Sequence, residues 1–253
     1  MTIKKVEKLT VYTFDTREEM GKVAAADAAR RINDIIARNG VANVVFAAAP
    51  SQNDLLENLL KSDIDWTKVR AFHQDEYVGI SAEEPAGFGN FLDRAIFKKV
   101  NFKELHYLLC DADEAEKKCQ EYTELLRQYP IDLIFLGIGE NGHLAFNDPA
   151  VADFNDPKMV KIVELDEVCR QQQVNDGCFE KLEQVPTHAL TVTIPGLTQA
   201  TAMFCSVPAA TKADAINHMV HDEVSTKCPA TILRTHTCAK LYVDKAAGAF
   251  VIE

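Results

Sequence analysis

Apolar and polar positions alternate along this chain in two registers, and the clearest signal is at residues 131–138. There a near-continuous apolar run is interrupted by Asp132. A strand buried on both faces of a parallel sheet has this composition, because neither face meets water. A similar run at 41–49 predicts a second buried strand. Shorter runs predict strands at 8–14, 68–72, 106–110, 160–164, 188–194, 202–207 and 240–244. Between them the period lengthens to that of helices. Over 16–38 the residues Met20, Val23, Ala24, Ala28, Ile32, Ile35 and Ile36 recur at three- and four-residue intervals, and Asn39-Gly40 supplies the stop. Further helices are expected at 53–61, 85–99, 112–128 and 209–220, with a mixture of helix and loop at 166–181 and a short helical or turn segment at 228–233. The tail, 245–253, carries Phe250, Val251 and Ile252 as its anchors.

Strands alternate with helices, with no Pro/Ser/Gly-rich linker, repeat or low-complexity tract. This pattern predicts one α/β domain over 1–253, a doubly wound, mostly parallel sheet with helices on both faces (Rossmann-like).

The formal net charge of −11 argues against nucleic-acid binding, which needs a basic face, but leaves room for an anionic small molecule held by a few local donors. No apolar window is long enough to span a membrane, and the N-terminal segment has charges but no apolar signal core. The seven cysteines include no C-x₂-C pair. They read as free thiols in a reducing cytoplasm rather than as a zinc or disulfide framework.

The chemistry concentrates at two strand ends. The 131–138 run leads into Gly137, Gly139 and Gly142, with Asn141, His143, Asn147 and Asp148 packed around them. A buried strand ending in a glycine-rich turn is where open α/β sheets place ligands. The 68–72 strand runs into His73-Gln74-Asp75-Glu76-Tyr77. Two adjacent carboxylates there suit a general base and a partner, and strand alternation points them in different directions. The turn after 41–49 offers Ser51, Gln52 and Asn53 as donors but contains no glycine, and Pro50 removes one N–H. An ordinary helix cap explains that turn equally well. Arg170 and Lys212 are candidate phosphate ligands, Arg by its fork and Lys as a point charge.

The stretches Phe72-His73-Gln74-Asp75-Glu76-Tyr77-Val78-Gly79 and Leu136-Gly137-Ile138-Gly139-Glu140-Asn141-Gly142-His143-Leu144-Ala145-Phe146-Asn147-Asp148-Pro149 resemble the glucosamine-6-phosphate deaminase (isomerase) family. Val185-Pro186 with Ala189-Leu190-Thr191-Val192 resembles a third segment of that family. The resemblance implies conversion of glucosamine 6-phosphate and water to fructose 6-phosphate and ammonia, with no metal and no organic cofactor. It implies that Asp75 moves a proton between C2 and C1 and that His143 helps open the sugar ring. Asn141 and Asp148 would orient that histidine. Glu76, Gly139, Gly142, Ser51, Gln52, Arg170 and Lys212 would hold the substrate, the last two at its phosphate. It also implies a possible homo-oligomer.

Three positions depart from the family pattern. Asn141 stands where the family has Asp, Asp148 where it has Glu, and Ala48-Ala49-Pro50-Ser51 where it has a Gly/Thr-rich phosphate loop. These changes keep galactosamine 6-phosphate open as the substrate. The Asn141 and loop changes also leave open a non-catalytic sugar-phosphate sensor, and the related 6-phosphogluconolactonases of the same superfamily keep a lactone hydrolysis as a further alternative.

Overall fold

The computed structural model describes residues 1–175 and 177–251, so the expected anchor Ile252 lies outside the described residues. The strands are Thr2–Val6 (β1), Leu9–Phe14 (β2), Ala42–Phe46 (β3), Val69–His73 (β4), Asp75–Tyr77 (β5), Glu104–His106 (β6), Leu133–Leu136 (β7), Val160–Glu164 (β8), His188–Val192 (β9), Ala202–Val207 (β10) and Ala239–Asp244 (β11). The α-helices are Arg17–Asn39 (α1), Asn53–Leu59 (α2), Phe88–Leu92 (α3), Ala115–Gln128 (α4), Glu167–Asn175 (α5), Ile194–Thr198 (α6) and Ala213–His221 (α7).

Eight of these strands form one sheet in the order β1-β2-β11-β10-β7-β3-β4-β6. Every neighbouring pair is parallel except β1 with β2. The chain moves outward from β3 through β4 to β6, then returns to lay β7 on the other side of β3. From β7 it proceeds the opposite way through β10 to β11. Strand order therefore reverses between β3 and β7, which opens a crevice at their C-terminal ends.

The central strand shows why a run buried on both faces was legible. Leu133 and Phe135 join the core with Met20, Ala24, Ala28, Ile32 and Leu55 of α1 and α2. Ile134 and Leu136 join the opposite core with Tyr122 of α4 and Ile216 and Met219 of α7. Strand alternation thus feeds two cores from four consecutive side chains. Asp132, the interruption, accepts the Asn43 backbone N–H at 2.8 Å and ties β7 to β3.

Three features depart from the expectation. β1 was not anticipated, because its side chains are almost all exposed and carry no burial pattern. β5, β9 and β8 form a separate three-stranded antiparallel sheet. The Asp75–Tyr77 segment is therefore a strand of that small sheet, not a turn after β4. The expected helix at 85–99 is a short α-turn, Phe88–Leu92, continued by a π-helical turn at Asp93–Phe97.

α1 begins at Thr16, whose side chain accepts the Glu19 N–H, and ends at Gly40, whose φ is 78°. A Cβ at Gly40 would meet nothing within 4 Å, so only the left-handed backbone disfavours a side chain there. Gly40→Ala is expected to cost about 1 kcal/mol. That would appear as a Tm lowered by roughly 2–4 °C in a thermal melt, with turnover unchanged.

Candidate active site

The crevice at the β3/β7 reversal holds a cavity of about 220 Å³. Its floor comes from three strand ends: residues 47–51 after β3, 137–139 after β7 and 208–212 after β10. Its roof comes from the small sheet and its flanking segments, with Gln74, Asp75, Phe88, Gln172 and Gln173. Asp75 and His143 both line it.

His143 is held from behind. The Asn141 side-chain oxygen accepts the His143 backbone N–H at 3.1 Å and faces His143 Nδ1 at 2.8 Å. Asp148 Oδ1 lies 3.1 Å from the same Nδ1. Asn141 Nδ2 donates to that Asp148 oxygen at 2.7 Å. Both groups facing Nδ1 are acceptors, so Nδ1 carries the proton and the neutral ring keeps its lone pair on Nε2. The amide orientation is fixed too, because the reverse would set nitrogen against the His143 N–H and oxygen against the carboxylate. Burial raises the Asp148 pKa, but hydrogen bonds from His143, Asn141 and Cys169 outweigh it and hold the carboxyl below its ordinary range. Burial, and then the Asp148 charge, push the Cys169 thiol up, so it stays protonated and donates.

Gly139 lines the cavity with the His143 ring laid directly on it, and a Cβ there would occupy the ring's position. The turn continues through Ala145, a non-glycine residue at φ 51°, which also faces the cavity. Asn147 closes the turn from inside, donating to Leu144 O at 2.8 Å and Val192 O at 2.9 Å. It is fully buried and stitches the turn to β9 rather than facing the cavity.

Asp75 is 6% exposed, pairs across the strand with Thr191, and takes no hydrogen bond on its carboxylate among the described residues. Burial and then the neighbouring Glu76 charge raise its pKa well above the ordinary carboxylate range. A carboxylate without donors, facing a cavity, is a stronger base than one in water.

The structure separates the expected binding residues into two groups. Ser51, Gly139 and Lys212 line the cavity. Lys212 Nζ sits 3.9 Å from Glu140 Oε1, and its side chain is 14% exposed. The other four are placed elsewhere. Glu76 points to the opposite side of β5, where it accepts the backbone N–H groups of Tyr77, Phe88 and Gly89 at 3.0, 3.0 and 2.8 Å. Burial still leaves its pKa raised against those three bonds. Gln52 is fully buried and ties its loop to Ser51, Leu136 O and Ser206 O. Arg170 turns underneath to Val185 O and Leu182 O, at 3.2 and 2.7 Å. Gly142, at φ 82°, turns the backbone against Cys228, which leaves no room for a side chain.

Sequence reasoning missed several polar cavity residues, Thr211 before Lys212 among them. Arg17 opens α1, Gln74 precedes Asp75, and Gln172 and Gln173 come from α5. Gln173 Oε1 accepts the Tyr77 hydroxyl at 3.0 Å. The run Gln171-Gln172-Gln173 was the available signal for the last two. Arg17 had none, since it reads as the first turn of a solvated helix.

His73, beside these residues, is fully buried; its Nε2 accepts the Leu108 N–H and burial lowers its pKa to about 3. It is a neutral core histidine.

Residues 15–243 match the family of glucosamine-6-phosphate isomerases and 6-phosphogluconolactonases. A glucosamine-6-phosphate deaminase of Listeria welshimeri is 33% identical over 206 residues, covering 81% of this chain and 86% of its own. One from Bacillus cereus is 31% identical, covering 94% of this chain and 88% of its own. Among solved structures, a monomeric glucosamine-6-phosphate deaminase superposes with a TM-score of 0.86 at 23% identity, over 95% of this chain and 99% of its own. The 6-phosphogluconolactonase of Thermotoga maritima gives 0.76 at 17% identity, over 94% and 100%. At those identities the structural likeness speaks for the fold alone. The sequence match over nine-tenths of the length carries the stronger conclusion: this chain belongs to the glucosamine-6-phosphate isomerase/6-phosphogluconolactonase family.

Proposed function

We propose that this protein is a glucosamine-6-phosphate deaminase, converting glucosamine 6-phosphate and water to fructose 6-phosphate and ammonia. The observation that carries this reading is the pairing of Asp75 and His143 on one cavity. Asp75 is a buried base without donors, and His143 is locked in the tautomer that presents a basic Nε2. The relatives' activity accords with that pairing, and a lactone hydrolysis has no use for a base at a C–H bond.

In this mechanism His143 Nε2 takes and returns the protons exchanged when the C1–O5 bond breaks and the sugar opens. Asn141 and Asp148 act through the histidine as positioning residues. The Asp148 charge also steadies the imidazolium that forms, which compensates for the neutral amide at Asn141. Asp75 removes the C2 proton to give an enolamine and returns a proton to C1. The resulting C2 iminium accepts water, and the C–N bond breaks to release ammonia. Lys212 and Ser51 lie at the floor, where the 6-phosphate would rest.

Ammonia release from glucosamine 6-phosphate and galactosamine 6-phosphate, assayed side by side, tests the reading. Release from the gluco sugar is expected, and Asp75→Asn should reduce it by about 10³-fold or more. Release from the galacto sugar alone would move the assignment to that substrate. The same variant should be more stable at neutral pH. A folded-state pKa raised by burial means that Asp75 contributes fully below its unfolded pKa, and that this contribution is lost as pH rises through the folded value. Asn removes the buried charge, so a higher Tm at pH 7 is expected in a thermal melt.

Glu76→Gln removes the like charge beside Asp75 and eases its ionisation. The acid limb of the kcat/KM–pH profile is expected to shift to lower pH. An unmoved limb would show that Asp75 is not the group that titrates there.

A further inference from the structure

The phosphate end of the cavity lacks one of the two cations that the sequence suggested. Arg170 is committed to Val185 O and Leu182 O beneath α5 and does not reach the cavity. The loop after β3 is also poor in donors, since Pro50 has no N–H and no glycine lets the backbone close around an anion. Lys212 shares its charge with Glu140 at 3.9 Å. A phosphate monoester carrying about −1.5 to −2 charge is therefore under-matched by these groups.

Arg17 occupies the vacant role. Arg17 lines the cavity with Ser51, Lys212 and Thr211, and Pro50, whose carbonyl its guanidinium binds, lines it too. The guanidinium is held in place from two sides: Nε binds Asp54 and one terminal nitrogen binds Pro50 O. The close approach that permits this is at Gly21, one turn along α1, where a Cβ would collide with Asp54. Those two bonds use two of the five guanidinium N–H donors and leave three without partners among the described residues. Ser51 complements it. Ser51 Oγ accepts from Gln52 Nε2 at 3.0 Å, which leaves its own O–H to donate into the cavity.

We propose that Arg17, projecting from the first turn of α1, is a phosphate-binding residue of this site and stands with Lys212 as its second cation. This rests on the proposed function only in that the ligand is a sugar 6-phosphate. The Asp54 and Pro50 bonds hold the guanidinium fork in place, so little side-chain entropy is lost when the anion arrives. The arrangement accounts for a chain that tolerates Ala-Ala-Pro-Ser at its phosphate loop: charge fixed on a helix replaces backbone donors.

The test is calorimetric titration of inorganic phosphate and of glucitol 6-phosphate, which cannot react, into the wild type, Arg17→Gln and Arg17→Lys, each checked by a thermal melt. Arg17→Gln is expected to weaken both ligands roughly 10- to 100-fold, the loss of one or two charged hydrogen bonds. Arg17→Lys should recover part of the loss, because charge remains while the fork is gone. In turnover, Arg17→Gln should raise KM far more than it lowers kcat. If folded Arg17→Gln binds both ligands within threefold of wild type, Arg17 is a latch between α1 and α2 and the proposal fails. Should Arg17→Gln not fold, Arg17→Lys decides alone: wild-type affinity for both ligands overturns the proposal, and a selective loss sustains it. Because binding is read without turnover, Arg17-dependent binding in a protein that releases no ammonia would sink the proposed function and leave this inference standing.

Discussion

The reversal of strand order between β3 and β7 is the constraint on which the site depends. Parallel strands that diverge there must leave a gap at their C-terminal ends, because the connections on either side lead to opposite faces. Three loops reach the gap from β3, β7 and β10, and each brings one kind of chemistry. The first brings Ser51, the second brings Gly139 and His143, and the third brings Lys212. The three loops lie far apart in sequence. The two cores hold the strands fixed, so the loops inherit their positions from Leu133–Leu136 and its neighbours.

The small antiparallel sheet closes the gap from above, and it decides which carboxylate faces the cavity. β5 is only three residues long, yet its pairing with β9 sets the register. Asp75 turns into the cavity without donors, and Glu76 turns away into three backbone N–H groups. The two adjacent acids thus differ in kind. Glu76 anchors the strand and supplies a like charge that helps raise its neighbour, while Asp75 is the carboxylate open to the cavity. His143 depends on a comparable division. Asn141 fixes the tautomer, and Asp148 keeps its negative charge because His143, Asn141 and Cys169 all donate to it.

Much of this was legible in the residues. The apolar runs located the buried strands, and α1 starts and ends within a residue of its periodic pattern. The glycine-rich turn with His143 and the segment with Asp75 meet at one cavity, and alternation indicated that Asp75 and Glu76 part company. What the sequence could not convey was direction. Alternation cannot say which of Asp75 and Glu76 faces inward without knowing that β5 pairs with β9. Arg170 and Arg17 are both helical arginines near a loop, and only tertiary packing sends one beneath α5 and the other into the cavity. Gln52 looked like a ligand donor because its burial under Leu136 O and Ser206 O depends on strands 84 and 154 residues away.

In the proposed reaction Asp75, a base without donors, moves a proton between adjacent carbons of an amino-sugar phosphate. The most direct measurement is incubation of the protein with glucosamine 6-phosphate in D₂O, reading hydrogen at C2 of recovered substrate and at C1 of product by NMR. The account predicts deuterium at C1 of fructose 6-phosphate, and loss of C2 hydrogen that Asp75→Asn abolishes. Exchange at C2, or product formation at the wild-type rate, that persists in Asp75→Asn would contradict it.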